Sequence, residues 1–207
     1  SDVAIPRQGL ATGDNDRFVR FWHEVDFSRI GFGFPNGNEA GKSQKKWFPH
    51  QKGGDFRKWY GNEECVVDWE GDGQVLRNFK DENGKLRSRP QSTDFYFKEC
   101  VSWSDVTSSS NSFRWHDQGF IPNVIAPVVF KGEVDLRFIL LAANNAFFNQ
   151  VIKALNPTLH FHVGYFSNLP FPEKIISHGV EIADELISIA RDDWNGHELS
   201  WGFLGLN

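Results

Sequence analysis

Apolar positions change period several times along the chain. Phe18, Phe21, Trp22 and Val25 recur at helical spacing, which predicts a helix from Asp14, with Thr12 or Asp14 capping its first turn. Cys65-Val66-Val67-Asp68-Trp69 predicts a short strand that Glu70-Gly71-Asp72-Gly73 stops. Phe95 to Phe97, Val101 to Trp103 and Val124 to Phe130 predict further strands. The strongest helical pattern runs from Val134 to Leu155, with Phe138, Leu141, Phe148, Val151, Ile152 and Leu155 on or near one face and Pro157 as its stop. Leu159 to Val163 reads as a last strand. Lys174 to Ala190 reads as an amphipathic helix with Ile175, Ile182, Leu186 and Ile189 on one side. Residues 1–13 read as an extended entry, and residues 31–46, rich in Gly, Asn, Ser and Lys, as a flexible loop.

Short strands scattered among helices, without a repeat, predict an α+β fold rather than an alternating parallel sheet. The texture changes at Asn168-Leu169-Pro170-Phe171-Pro172. Residues 1–170 are expected to form a mixed-strand body with flanking helices, and residues 171–207 a helical spacer or docking segment.

Composition narrows the function. The chain has 207 residues, which suits one large domain with a small appendage. Aromatic residues make up 15%, including 20 Phe and 8 Trp, an excess that can both build a core and line a recognition surface. No apolar run reaches the roughly 18 residues of a membrane helix, and no signal peptide opens the chain. A cytoplasmic protein is expected, with Cys65 and Cys100 as reduced thiols and too few cysteines for a structural zinc site. Methionine is absent altogether, including at position 1, which leaves open whether the chain is a fragment.

The net charge is −5, and the segment from Glu173 onward carries all of it, leaving residues 1–172 neutral. Bases then concentrate locally, at Lys42 to Lys58 (Lys42, Lys45, Lys46, Lys52, Arg57, Lys58) and at Arg77 to Arg89 (Arg77, Lys80, Lys85, Arg87, Arg89). This distribution argues against a general nucleic-acid glue and for local phosphate contacts.

Three segments carry candidate chemistry. In Gly9 to Phe18 two glycines and Thr12 precede a helix start, where backbone N–H groups can hold a phosphate oxygen and Arg17 adds charge; the alternative is an ordinary capped helix. Asp14 and Asp16 oppose an anion there and read as caps, or as acceptors for a cytosine amino group. In Lys46 to Tyr60 bases alternate with aromatics around Gly53-Gly54; Trp47, Phe48 and Trp59 are expected to pack while the charges face outward. The Arg77 to Arg89 run reads either as a solvated face or as phosphate contacts.

Catalytic readings fail. Asn156-Pro157-Thr158-Leu159 lacks the second proline and the aromatic of an amino-methyltransferase loop, and Gly31-Phe32-Gly33-Phe34 lacks the strand–turn–helix setting of a cofactor loop. No P-loop or nucleophile elbow occurs. His160 and His162 share a strand face, but with no carboxylate close in sequence they read as a satisfied or exposed pair rather than a metal site.

Several strings are unusual: TGDNDRF, KWFP followed by KGGDFRKWYGN, VVDWEGDG, FYFKECVSWSDV and LNPTLHFHVGYFSNLP. With the tail from Asp193 to Phe203, they resemble the C-terminal region of the PglX adenine-specific DNA methyltransferases of BREX phage-defence systems, and related type II restriction–modification methyltransferases. The resemblance covers almost the whole chain and departs at Ala11, Asn195, His197 and Leu199. It implies a TaqI-like specificity region that follows an N-terminal methyltransferase domain. That domain binds S-adenosylmethionine and methylates the exocyclic amine of a flipped adenine; none of its machinery is visible here.

The expectation is therefore a non-catalytic recognition domain with no cofactor or metal of its own, binding double-stranded DNA. Its predicted contacts are Thr12, Asn15, Arg17, Lys52, Arg57, Lys58 and Tyr60, with Lys85, Arg87 and Arg89 as further phosphate contacts. Its other partners would be the methyltransferase domain of the same chain and further subunits of the system, with no membrane. The rival reading is a protein-interaction domain in which the aromatics and the acidic helix dock a partner subunit.

Overall fold

The computed structural model describes residues 3–106, 110–155, 160–169, 171 and 179–203. In chain order the elements are β1 (Ala4–Arg7), α1 (Asn15–Phe18), β2 (Val19–Phe21), α2 (Gly37–Lys42), β3 (Trp47–Gln51), β4 (Cys65–Asp68), α3 (Glu70–Arg77), β5 (Cys100–Trp103), β6 (Phe113–His116), β7 (Ile121–Pro122), β8 (Val128–Lys131), α4 (Leu136–Ala143), α5 (Ala146–Leu155), α6 (Val163–Ser167) and α7 (Gly179–Asn195). The fold is α+β. One sheet has the order β1-β8-β5-β6 and is antiparallel throughout. The other has the order β2-β4-β3-β7, with β3 and β7 parallel and the remaining pairs antiparallel.

Strands β5 and β6 of the first sheet are buried on both faces, and alternation along them sorts two kinds of side chain. Val101, Trp103, Phe113 and Trp115 join a core with Leu136, Ile139 and Leu140 of α4, Phe166 of α6, and Ile187 and Trp194 of α7. Trp103 stacks on Phe166 at 5.0 Å between centroids, and its indole N–H donates to the Phe161 carbonyl at 2.6 Å. The neighbouring positions, Ser102, Arg114 and His116, fall on the other face and are buried too. The second core gathers Leu10, Phe18, Phe48, Val67, Trp69, Leu76, Phe97 and Ile121 around the second sheet.

Several elements differ from the sequence expectation, each for a tertiary reason. The helix expected from Asp14 ends at Phe18, because Val19, Arg20 and Phe21 pair with Val67, Val66 and Cys65. The long helix expected from Val134 divides into α4 and α5 at Asn144-Asn145. Asn144 exchanges two hydrogen bonds with the Phe113 backbone, at 3.0 and 2.9 Å, and Asn145 caps α5 through the Phe147 N–H. Residues 31–46, expected to be a loop, hold α2, whose cap is Asn36. The turn expected at Glu70 to Gly73 does turn, with φ of 58° to 70° at Gly71, Asp72 and Gly73, but then runs on as α3. Phe95 to Phe97 forms no strand: a 3-10 turn ends at Phe95, and Phe97 sits at φ 69°.

The expected apolar face of the last helix is also displaced. Ala183, Ile187 and Trp194 are buried, whereas Ile182 and Ile189 are 44% and 59% exposed. Positions 174–178 of that expected helix, and the Asn156 to Leu159 string, lie outside the described residues. Both cysteines are free thiols. Among the described residues no helix is long and apolar enough to cross a membrane.

His50 joins β3 to β7 through its side chain. Its Nδ1 lies 2.8 Å from the Ile121 carbonyl oxygen and its Nε2 2.8 Å from the Asn123 side-chain amide nitrogen. A carbonyl only accepts and an amide N–H only donates, so the ring is neutral with its proton on Nδ1. Burial lowers its pKa from an ordinary 6.5 to about 4. The unfolded chain therefore binds the proton more readily, and stability falls as pH drops from about 6.5 to about 4, by on the order of 3 kcal/mol. Chemical denaturation at pH 7 and pH 4.5 should show this loss, and the His50→Gln variant should show a visibly shallower pH dependence.

Candidate nucleic-acid interface

The segment before α1 is built by local capping. Thr12 is buried and donates to Asn15 Oδ1 at 2.7 Å, while Asp14 caps the helix by accepting from the Arg17 N–H at 3.1 Å. Of the two readings of this segment, the geometry is that of a capped helix: it has four residues, and the Asp14 carboxylate occupies the Arg17 N–H. Thr12 and Asn15 thus shape the loop. Gly13 has φ +74°, and a Cβ there would come within 2.5 Å of the Arg87 carbonyl oxygen. That close approach brings Arg17 and the basic Arg77 to Arg89 run, far apart in sequence, onto one edge.

The Arg77 to Arg89 run folds back as a narrow hairpin. Asp81 Oδ1 accepts from the Asn83 and Lys85 N–H groups, and Lys80 bridges Leu86. Arg89 exchanges backbone hydrogen bonds with Ala11 at 3.1 and 2.7 Å. Arg87 then reaches the Gly13 carbonyl at 3.0 Å. The guanidinium carbons of Arg17 and Arg87 lie 5.0 and 5.1 Å from the Phe79 ring centroid. Stacking on an aromatic face restrains a guanidinium while leaving N–H edges available to an anion. Arg17, Lys80, Lys85, Arg87 and Arg89 are all exposed on this edge, and so are the acids Asp16 and Glu82. Lys52 lies round the corner, in a cleft shared with Asn15, Asp16, Arg20, Glu24 and Cys65.

The remaining expected contacts lie elsewhere, in intramolecular bonds. Arg57 pairs with Asp193 of α7 at 2.6 Å and lies over the Trp194 ring at 5.0 Å. Lys58 donates to the Asn144 carbonyl at 2.8 Å. Tyr60 is buried, donates to Glu63 Oε2 at 2.8 Å, and has Arg191 of α7 over its ring. Burial and the Glu63 charge push the Tyr60 phenol far above its ordinary pKa, so it remains a donor. Phe48 packs inward completely and Trp59 packs against the first core, as expected, whereas Trp47 is half-buried and joins neither core.

Phe79, an aromatic set alone among bases, was not among the residues expected from sequence. Nor was a polar chain between the sheets. His116 Nδ1 lies 2.9 Å from Glu63 Oε1, and His116 Nε2 lies 2.9 Å from Ser102 Oγ. The order is that of a hydrolytic triad, but Ser102, His116 and Glu63 are 0%, 1% and 2% exposed, so no substrate reaches it. The carboxylate that His160 and His162 lacked in sequence is supplied by Asp105.

The chain is similar in sequence to curated proteins. The chain is 36% identical over 204 residues to the adenine-specific methyltransferase PglX of Lacticaseibacillus casei (strain Zhang), covering 98% of this chain and 17% of that protein. It is 34% identical over 200 residues to the adenine-specific methyltransferase BrxX of Escherichia coli O9:H4 (strain HS), covering 95% of this chain and 15% of that protein. The chain is similar to one segment of much longer adenine-specific methyltransferases. The resemblance read from the motif strings is borne out. No protein-family model matches the chain.

The Arg57 contacts make a direct expectation. Arg57→Ala removes the ion pair to Asp193 and the cation from Trp194, so α7 should lose anchoring. Because Asp193 is mostly exposed, the global loss should stay under about 1 kcal/mol. Hydrogen exchange at the α7 amides should quicken while the β5 amides keep their protection.

Proposed function

We propose that this chain is the DNA target-recognition segment of an adenine-specific (N6) DNA methyltransferase of a BREX phage-defence or restriction–modification system. In this reading the parent enzyme is cytoplasmic. S-adenosylmethionine binding and methyl transfer belong to its methyltransferase domain, and this segment is non-catalytic and holds double-stranded DNA in register. The observation that carries the reading is the exposed edge where Arg17 and Arg87 share the Phe79 ring beside Arg89 and the Lys80–Lys85 hairpin. Guanidinium groups held at a fixed spacing suit a phosphate backbone or a guanine edge. Similarity to two adenine-specific methyltransferases supports the parent activity.

On this reading the contact set narrows to Arg17, Lys85, Arg87 and Arg89, with Lys52 and Asn15 at the adjoining cleft. Arg57, Lys58 and Tyr60 hold the helices instead. A second reading has one observation in its favour: the exposed Ile182 and Ile189 on α7 are apolar surface of the kind that docks a partner subunit.

The test is DNA binding by the parent methyltransferase across a salt series. Arg17→Ala with Arg87→Ala should weaken binding and lower the slope of log affinity against log salt by up to about 2, while Arg57→Ala should leave the slope unchanged. Equal slopes for all three proteins would overturn the assignment. Absence of salt-sensitive DNA binding in the wild type would favour the docking reading.

A further inference from the structure

Asp105 follows β5, and its backbone is tied on both sides. Its N–H donates to the Ile125 carbonyl at 3.1 Å, and its own carbonyl accepts from Phe161 N–H at 2.7 Å. Val106 and His160 form an antiparallel bridge. Phe161 is sunk into the core beneath Trp103, so alternation turns His160 and His162 outward together. Their rings stack at 5.4 Å between centroids. Asp105, only 8% exposed, presents its carboxylate beneath them.

The carboxylate faces one imidazole with each oxygen. Oδ2 lies 3.2 Å from His160 Nδ1, aligned as a hydrogen bond, and Oδ1 lies 2.8 Å from His162 Nδ1. The second contact lacks hydrogen-bond alignment: Oδ1 is buried and accepts no hydrogen bond. Ligand-capable atoms of the three residues all lie within 4.8 Å of one another. An ion pair with a protonated histidine would satisfy Oδ1 through a directed N–H. A buried carboxylate oxygen close to a ring nitrogen, without that alignment, is instead what two ligands of one cation look like. Adjacent ligands about 2.0–2.2 Å from a zinc-sized ion are about 2.8–3.6 Å apart in octahedral or tetrahedral geometry, and both carboxylate–imidazole contacts fall in that range.

We propose that Asp105, His160 and His162 form a binding site for one divalent transition-metal ion. Two imidazoles and one carboxylate suit zinc, cobalt or nickel, whereas magnesium and calcium prefer all-oxygen sets. The ion would join the end of β5 to the segment leading into α6, and would keep further coordination positions for water or another donor.

The test uses the intact chain, stripped with chelator and titrated with Co²⁺ while its visible absorption is followed, then with Zn²⁺ in competition. One equivalent of Co²⁺ should produce a saturable d–d band that Zn²⁺ abolishes. His162→Ala and Asp105→Asn should each weaken binding by at least about tenfold. His162 is exposed, so its variant should fold even if Asp105→Asn does not; near-ultraviolet circular dichroism of the tryptophans checks this. Absence of a saturable band in the wild type, or a band unchanged in a folded His162→Ala variant, would overturn the site.

Discussion

Glu63 holds a carboxylate at 2% exposure between the two sheets, just before β4, and much of the structure is arranged to keep it there. A buried carboxylate without partners is destabilising by several kcal/mol, so its contacts are obligatory. It accepts from the Tyr60 hydroxyl and lies against His116 of β6, which in turn meets Ser102 of β5. Tyr60 and Glu63 belong to the segment entering the second sheet; Ser102 and His116 belong to the first. One acid therefore sets the position of one sheet against the other. The buried Arg114, its pKa lowered to about 10 by desolvation, adds the opposite charge on the same sheet face and bonds Ser112, Ser104 and the Arg57 carbonyl.

Pinning residues 60–63 determines where the preceding basic segment goes. Trp59 exchanges backbone hydrogen bonds with Phe113 and Trp115, so the chain runs along the edge of β6. That path turns Arg57 toward Asp193 and Trp194, and Lys58 toward the carbonyl of Asn144. Lys and Arg side chains there act as struts between the sheet and its helices. The same physics explains why α7, acidic along its length, sits where Arg57 and Arg137 meet its Asp193 and Asp184, while its own Arg191 reaches Asp117.

The exposed basic edge has a different origin. It depends on Gly13 adopting a left-handed conformation with no room for a side chain, which lets the Arg87 backbone close in. Phe79 then spaces the two guanidinium groups that a linear reading places about seventy positions apart. The edge suits a polyanion although the chain as a whole is acidic, since charge acts over roughly a Debye length of about 8–10 Å rather than over the whole molecule.

The sequence by itself determined the α+β class, the strands at Cys65 and Val101, the inward packing of Phe48, the free cysteines, and the kinship carried by long motif strings. These rest on local periodicity and composition, which survive in one dimension. Tertiary structure decided the rest. Hydrogen bonds between Asn144 and β6 divided a helix that periodicity left whole, and pairing with β4 turned Val19 to Phe21 from helix to strand. Asp105, distant in sequence, supplied the carboxylate beside two histidines. It also decided which bases face solvent: Arg57 and Arg87 are alike as letters, and only the buried carboxylate at Glu63 and the tight turn at Gly13 send one inward to a helix and the other outward to an exposed edge.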